Sequence, residues 1–275
     1  METNTLNGKV DISNDDYHAG PGISKSHLDV IANASPLHYW YKYINPNREP
    51  SAPTEAMKLG TAVHAAILEP ESFEKEFIVS PEFNRRTKDG KAMYEQFVTE
   101  NAGKTVITPE VRETCLILRD RVHNHPLAGG LLQDGNAEQS FYAQDPDSGE
   151  LMKCRFDYLQ SSGFAAIDLK TTKDASETEF GKSAANLRYD IAAAWYFNVL
   201  EVLYGTIPQH WIWLAVEKEP PYAIGVYFAP RDMIERAREA MFRDFNRIIE
   251  CKRNNDWPDY AVEAMELKLP GWVKR

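Results

Sequence analysis

The sequence predicts an α/β fold in which a mixed β-sheet packs between helices and follows a mainly helical N-terminal part. Three strands separated by turn sequences are predicted in the middle of the chain, at residues 138–145, 151–160 and 164–170. A long helical pattern covers about residues 184–204. Two further strands and an amphipathic helix follow, at residues 210–217, 222–229 and about 231–252. Strands interspersed with helices in this way favour a layered α/β arrangement.

The N-terminal part is predicted to consist mainly of helices, at residues 26–34, 36–43, 55–68 and about 108–122. The start of the last helix is clearly marked, because Thr108 followed by Pro109 and Glu110 is typical of a helix N-terminus. We expect one domain over residues 1–275, with a helical part at 1–130 and the sheet with its helices at 131–260.

Composition excludes several classes of protein. The N-terminus lacks the apolar stretch of a signal peptide, and no apolar run is as long as a membrane span, so we expect a cytoplasmic protein without a membrane partner. Three widely spaced cysteines argue against a disulfide framework or a CxxC metal site. The formal net charge of −10 argues against a nonspecific nucleic-acid coat protein. A DNA partner would have to meet a local basic groove or metal ions.

The stretch AAIDLKTT, residues 165–172, has the composition of a buried strand but contains an acid and a lysine two residues apart. Asp168 and Lys170 share one face of such a strand, and burying both is costly unless something compensates. On the preceding strand, Asp157 alternates with apolar residues and lies on the charged face. A tight turn at residues 161–162 would place Asp157 opposite Ala166 and diagonal to Asp168, which lets the two carboxylates converge.

Two converging carboxylates are stable mainly when a cation lies between them. Ligand sets made only of oxygen suit Mg²⁺, with Mn²⁺ as a substitute. Lys170 beside them would stabilise negative charge on a phosphoryl group or help to activate a water molecule. The alternative is a solvated hairpin face with a cross-strand ion pair, because D-x-K tripeptides are common.

An acid on one strand followed by D-x-K on the next resembles the pattern of PD-(D/E)xK nucleases. Within that superfamily the chain resembles the RecE-type exonucleases (exodeoxyribonuclease VIII) of phages and prophages. The resemblance is carried by YHAGPGISKSHLD (17–29), LGTAVHAAILEP (59–70), FIVSPEFNRRTKDGK (77–91), GKTVIT (103–108), CRFDYL (154–159) and IDLKTTKDA (167–175). It implies a PD-(D/E)xK, restriction-endonuclease-like core: a mixed central sheet flanked by helices, with a helical N-terminal elaboration that binds DNA ends.

The same resemblance implies roles for individual residues. The positions that match the family's metal and catalytic residues are His64, Asp157, Asp168, Lys170 and the Leu169 carbonyl. Glu138 matches an acid that enters the site from the preceding strand. Taken alone, His64 has the alternative of a histidine at the core edge, and Glu138 that of a plain surface acid.

Further residues are candidates for binding DNA. Arg85, Arg86, Lys88 and Lys91 cluster in a segment, 82–91, that is predicted to be a basic loop. Ser24 and Ser26 precede a helix whose N-terminus could hold a terminal phosphate, with simple capping as the alternative. The family's Q-x-x-x-Y element on the helix after the lysine strand keeps Tyr196 but has Ala192 in place of the glutamine.

The function implied by the resemblance is a Mg²⁺-dependent 5′→3′ exonuclease that acts on double-stranded DNA ends in the cytoplasm of a bacterial host. It would leave a 3′ single strand for a single-strand annealing protein of the RecT type. A ring-shaped homo-oligomer, a tetramer, is implied as well. Two alternatives remain open: a PD-(D/E)xK endonuclease or repair nuclease, and a catalytically inactive protein that binds DNA ends.

Overall fold

The computed structural model describes residues 6–49, 54–261 and 263–268. Its helices are α1 (Asn14–Ala19), α2 (Lys25–Asn33), α3 (Pro36–Tyr43), α4 (Glu55–Leu68), α5 (Pro70–Glu76), α6 (Lys88–Glu100), α7 (Pro109–His123), α8 (Pro126–Leu131), α9 (Glu177–Asn186), α10 (Tyr189–Tyr204) and α11 (Arg231–Asn254). Its strands are β1 (Gly8–Val10), β2 (Phe77–Val79), β3 (Thr105–Ile107), β4 (Gly135–Gln144), β5 (Leu151–Gln160), β6 (Ala165–Thr172), β7 (His210–Glu217) and β8 (Ile224–Phe228).

A six-stranded mixed sheet in the order β1-β4-β5-β6-β7-β8 forms the centre of the fold. Adjacent strands of this sheet are antiparallel except β6 and β7, which run parallel and are joined by α9 and α10. A parallel pair needs such a helical crossover, whereas the antiparallel strands need only short turns. The predicted mixed sheet between helices is confirmed. A small parallel pair, β2 with β3, stands apart from this sheet.

Helices cover both faces of the sheet. On one face α2, α10 and α11 pack around Trp195, Trp211 and Phe245. On the other face α4 and α7 pack around Ile67 and Ile167. The first five residues of β6 are therefore buried on both sides, which explains their nearly continuous apolar sequence.

The helix predicted over residues 184–204 is two helices, α9 and α10. Arg188 breaks it with a left-handed backbone, at φ 56°. Its guanidinium donates to the Leu28 carbonyl at 3.1 Å and also pairs with Asp29 and with Asp244 on α11. These contacts to α2 and α11 hold a conformation that helical periodicity alone does not predict.

The basic loop predicted at residues 82–91 is also shorter than expected. The Thr87 hydroxyl accepts a hydrogen bond from the Gly90 N–H at 3.1 Å and caps α6, so Lys88 and Lys91 lie in the first turn of that helix. The last strand begins at Ile224 rather than at 222, because Tyr222 has a left-handed φ of 58°. No helix in the described part of the chain is both long enough and apolar enough to cross a membrane.

Candidate active site

Three carboxylates lie at one level of the sheet, on three neighbouring strands. The pairs Ala137–Tyr158 and Gln139–Phe156 flank Glu138 on β4 and place it opposite Asp157 on β5. The pair Tyr158–Ile167 places Asp168 on β6 one step beyond the last ladder pair, next to Asp157 on its other side. Directly opposite residues are only about 4.5–5.5 Å apart at Cβ, and like charges there repel.

The register of the β5–β6 hairpin differs from the predicted one by two residues. Ala166 pairs with Leu159, not with Asp157. The turn is longer than the expected two residues: the Gly163 N–H donates to the Gln160 carbonyl at 3.1 Å, and Gly163 has a left-handed φ of 71°. The longer turn brings Asp157 level with Asp168 rather than diagonal to it.

The ladder between β5 and β6 stops where the acids begin. Its pairs are Tyr158–Ile167 and Leu159–Ala166. In place of the next ladder bond, the Leu169 N–H donates to Oδ2 of Asp157 at 2.8 Å. The two strands therefore separate at the acids, and the side chain of Asp157 satisfies the backbone amide that the separation leaves free.

Lys170 lies between Asp168 and Asp157. Its Nζ is 2.5 Å from Oδ1 of Asp168 and 3.9 Å from Oδ2 of Asp157, and it is 3.4 Å from the Leu169 carbonyl oxygen. It also lies 5.3 Å from the centre of the Tyr189 ring, at the start of α10. Burial by itself would lower the pKa of Lys170, but the facing carboxylates raise it above its ordinary value. Lys170 is therefore an ammonium at neutral pH.

His64 reaches the acids from α4, on the other face of the sheet. Its Nδ1 lies 3.7 Å from Oδ2 of Asp157. Gly60 lies one turn earlier, and the space beside its Cα is open. Burial, reinforced by Lys170, lowers the pKa of His64 to about 4, so the imidazole is neutral at pH 7 and can act as a metal ligand.

Arg155 is the site residue that sequence reasoning missed. Its Nε donates to Oε2 of Glu138 at 2.6 Å. The alternation of Arg155 with apolar residues on β5 puts it on the same face as Asp157, and that was the signal available in the sequence. The outer acids of the row, Glu138 and Asp168, thus have Arg155 and Lys170 as counterions, while the central acid Asp157 has a backbone N–H.

The acids remain hard to ionise despite these partners. Burial first, and then Asp157, raises the pKa of Glu138 to about 7 against the opposing effect of Arg155. Burial raises the pKa of Asp168 to about 6, with Lys170 opposing and Asp157 adding to the shift. Burial raises the pKa of Asp157 too. Oδ2 of Asp168 is buried and accepts no hydrogen bond from the described residues.

These features fit a divalent metal ion. Ligand atoms of His64, Glu138 and Asp157 lie within 4.8 Å of one another. Asp168, which was predicted to be a ligand, is not part of this group; its buried Oδ2 has no hydrogen-bond partner among the described residues. The Leu169 carbonyl oxygen lies near the group, because it hydrogen-bonds to His64. A set of mainly oxygen ligands with one imidazole suits Mg²⁺ or Mn²⁺. A cation would offset the burial that chiefly raises the pKa values of the acids, and the repulsion from Asp157 that adds to it for Glu138 and Asp168.

The two serines predicted to bind a terminal phosphate differ in exposure. Ser24 is buried, and its hydroxyl lies 2.9 Å from Nδ1 of His27 and 3.0 Å from the Ser26 hydroxyl. It forms a capping box with His27 at the start of α2. Ser26 is exposed in the first turn. Contacts of either serine with DNA stay predictions, and Ser26 is the one whose position leaves it accessible.

The other predicted DNA-binding residues also stay predictions. Arg85 lies over the Tyr94 ring at 4.2 Å, and Arg86 and Lys91 are exposed close by. Tyr196 packs edge-on against Phe156 and Trp211 in the core. Burial raises the pKa of the Tyr196 hydroxyl well above its ordinary value.

Comparison with known proteins bears on this constellation. Residues 32–269 match a protein family described as a PDDEXK-like domain of unknown function (DUF3799). The chain belongs to this family. Membership in this PDDEXK-like family supports the predicted PD-(D/E)xK nuclease superfamily, whose nucleases depend on divalent metal ions. No curated protein matches the chain.

Two solved structures resemble this PDDEXK-like chain to different degrees. A protein from Eubacterium rectale, described as a "putative exonuclease", is 13% identical, with a TM-score of 0.67 over 95% of this chain and 96% of that chain. At that identity the likeness supports the fold alone. The structure of SSO0001 is 16% identical over 67% of this chain and 83% of that chain, and its TM-score of 0.29 carries no argument.

The raised pKa of Asp168 predicts how the metal-free protein responds to pH. Because the folded-state pKa of about 6 lies above the ordinary value of 3.8, the ionised carboxylate destabilises the fold, and this loss grows as pH rises from 4 through 6. Between pH 4 and pH 7.5 the free energy of unfolding of the wild-type protein should fall by about 2–3 kcal/mol more than that of Asp168→Asn, which lacks the Asp168–Lys170 pair at both pH values. Urea unfolding in EDTA at both pH values measures this.

Asp232→Asn, at an exposed carboxylate that pairs with Arg236 in the first turn of α11, is the control for amide substitution and should lower the free energy of unfolding by no more than about 1 kcal/mol at either pH. A fall of equal size in Asp168→Asn and in the wild-type protein would contradict the argument, because ionising the Asp168 carboxyl would then cost the folded protein no stability.

Proposed function

We propose that this PDDEXK-like protein is a Mg²⁺-dependent 5′→3′ exonuclease of the RecE type that acts on double-stranded DNA ends and leaves a 3′ single strand. The observation that carries the nuclease part is the row of Glu138, Asp157 and Asp168 with Lys170 beside it. The row lies where β5 and β6 stop pairing, and in the proposal the scissile phosphodiester binds there.

The residues have distinct roles in the proposal. His64, Asp157, Asp168 and the Leu169 carbonyl hold the metal, and Glu138 adds a further carboxylate. A divalent cation bound there supplies a Lewis acid that polarises the scissile phosphate and offsets its developing charge. Mn²⁺ is expected to substitute for Mg²⁺ because both accept oxygen ligands.

Lys170 acts as a fixed positive charge. Because its pKa is raised, it cannot accept a proton from water at neutral pH, so it is not a general base. An ammonium held by Asp168 can instead stabilise the negative charge that develops on the phosphate oxygens. The Tyr189 ring, 5.3 Å from the Lys170 Nζ, lies on one side of this ammonium.

The exonuclease polarity and the partners rest on the resemblance to RecE-type enzymes. It supports a ring-shaped tetramer in the bacterial cytoplasm and a RecT-type annealing protein as a partner. The net charge of −10 agrees with a ring, because in a ring only the surface that lines the DNA channel has to be positive.

The catalytic assignment predicts loss of cleavage in three variants. Asp157→Ala and Asp168→Ala should abolish it by removing metal ligands, and Lys170→Ala should slow it by about 10²–10³-fold by removing the charge that stabilises the transition state. A linear duplex labelled at the 5′ or the 3′ end, incubated with Mg²⁺, should lose the 5′ label first as mononucleotide.

Two control variants and one control substrate accompany this assay. Asp232→Ala and Lys182→Ala change exposed residues and should cleave like wild type. A covalently closed circular duplex should stay intact; its cleavage would favour the endonuclease alternative. DNA binding without any cleavage by the wild-type protein would favour the inactive end-binding alternative.

End recognition predicts a preference for a 5′-phosphate. In the proposal the 5′-phosphate binds at the first turn of α2, beside the exposed Ser26, and Arg85 and Arg86 contribute positive charge to the binding of DNA. Loss of one charge-assisted contact, about 1.5–3 kcal/mol, corresponds to about a 10- to 100-fold lower kcat/KM for a 5′-hydroxyl duplex. Ser26→Ala and Arg85→Ala should reduce the difference in kcat/KM between the two substrates, because they slow cleavage of the phosphorylated one. Equal rates on both substrates would leave Ser26 as part of an ordinary helix cap.

The proposed ring predicts an oligomer in solution. Sedimentation velocity at micromolar protein should give the mass of a tetramer, four times the 31.3 kDa of the chain. A monomer that degrades long DNA without dissociating would contradict the channel, since no ring would then retain the substrate.

A further inference from the structure

Arg155 makes three hydrogen bonds that fix its guanidinium. Besides the 2.6 Å bond from Nε to Oε2 of Glu138, Nη1 donates to the Ser140 hydroxyl at 2.6 Å and to the Ile12 carbonyl at 3.1 Å. Only 12% of its side chain is exposed. Two of its partners are neutral and belong to β4 and the N-terminal segment, so the guanidinium is anchored independently of the acid that it contacts.

Glu138 has an unusual backbone for a residue inside a strand. Its φ is 50°, in the left-handed region, while Ala137 and Gln139 on either side keep their pairing with β5. This conformation is costly for a residue with a Cβ and persists only where the surroundings hold it. Arg155 is the group that holds the Glu138 side chain, through one oxygen. Among the described residues, no hydrogen bond reaches the other oxygen, Oε1.

We propose that Arg155 is a positioning residue for the metal site: it holds the Glu138 carboxylate beside His64 and Asp157, with one oxygen left for the cation. This inference rests on the proposed function, because it needs the cation to bind at the acid row. A ligand atom of Glu138 already lies within 4.8 Å of those of His64 and Asp157. Of the described residues that would hold the metal, Arg155 hydrogen-bonds only to Glu138.

A positioning role predicts a loss of metal affinity that can be measured without DNA. Isothermal titration of Mn²⁺ into metal-free protein should show about 10- to 100-fold weaker binding for Arg155→Gln, the usual effect of removing a residue that orients a metal ligand. Arg155→Lys should also bind weakly, because an ammonium cannot make the forked contacts to Glu138, Ser140 and Ile12 together.

The matched control is Arg238→Gln. Arg238 is similarly buried, at 18% exposure, and donates to Glu201 at 2.6 Å on the far pair of helices α10 and α11. Arg238→Gln should bind Mn²⁺ like the wild-type protein, which separates the loss of an arginine–glutamate pair elsewhere, here with a more exposed glutamate, from the loss of the Arg155–Glu138 pair. If Arg155→Gln does not fold, Ser140→Ala removes one anchor, keeps both charges and should still weaken Mn²⁺ binding.

A double-mutant comparison tests whether Arg155 acts through Glu138. Once Glu138→Gln has removed the carboxylate, adding Arg155→Gln should weaken Mn²⁺ binding no further. The positioning role would be overturned if folded Arg155 variants bound Mn²⁺ as tightly as the wild-type protein. It would also be overturned if Arg155→Gln weakened Mn²⁺ binding as much in the Glu138→Gln protein as in the wild-type protein. Either result would leave the nuclease proposal intact. If the wild-type protein bound no Mn²⁺, the proposed metal site would fail and this inference with it.

Discussion

Repulsion among three carboxylates on neighbouring strands is the constraint around which the site is arranged. Glu138, Asp157 and Asp168 lie level with one another in a buried part of the sheet. Burial raises the pKa of each, and the charge of Asp157 raises those of Glu138 and Asp168 further. Cations at the two ends of the row, Arg155 and Lys170, reduce the cost of ionising the acids without removing it. A structure that keeps such a row gives up stability for a place where a cation binds well.

The fold provides the conditions that this row requires. Because the β5–β6 ladder ends at Tyr158 and Ile167, the strands separate and the acids are not covered by a third pair of ladder bonds. Helix α4 brings His64 from one face of the sheet. On the other face, the break at Arg188 starts α10 beside Lys170, so that Tyr189 lies next to the ammonium. The helical layers therefore act on the site from both sides.

The sequence alone predicted the mixed sheet, most of the helices that flank it and the candidates Asp157, Asp168 and Lys170, because each depends on local periodicity or on a short motif. The candidates His64 and Glu138 rested on the resemblance to RecE-type enzymes. The hairpin register was wrong, since it depends on a turn in which Gly163 adopts a left-handed conformation. The break at Arg188 depends on contacts with α2 and α11, which lie far away in sequence. Arg155 was missed because its role depends on its hydrogen bond to Glu138 on the neighbouring strand, and the strained backbone of Glu138 is visible only in the structure.

The charge of the row also bears on how an acidic protein could accept DNA. Three carboxylates against Arg155 and Lys170, with His64 neutral, leave a formal charge of −1, which opposes a phosphodiester that also carries −1. A divalent cation held there would reverse the sign to +1. Under the proposed function, attraction of the scissile phosphate is then conditional on the cation, and the acids favour metal before substrate. Arg155 contributes to both states, since it lowers the repulsion when the metal is absent and keeps Glu138 in place for the metal's arrival.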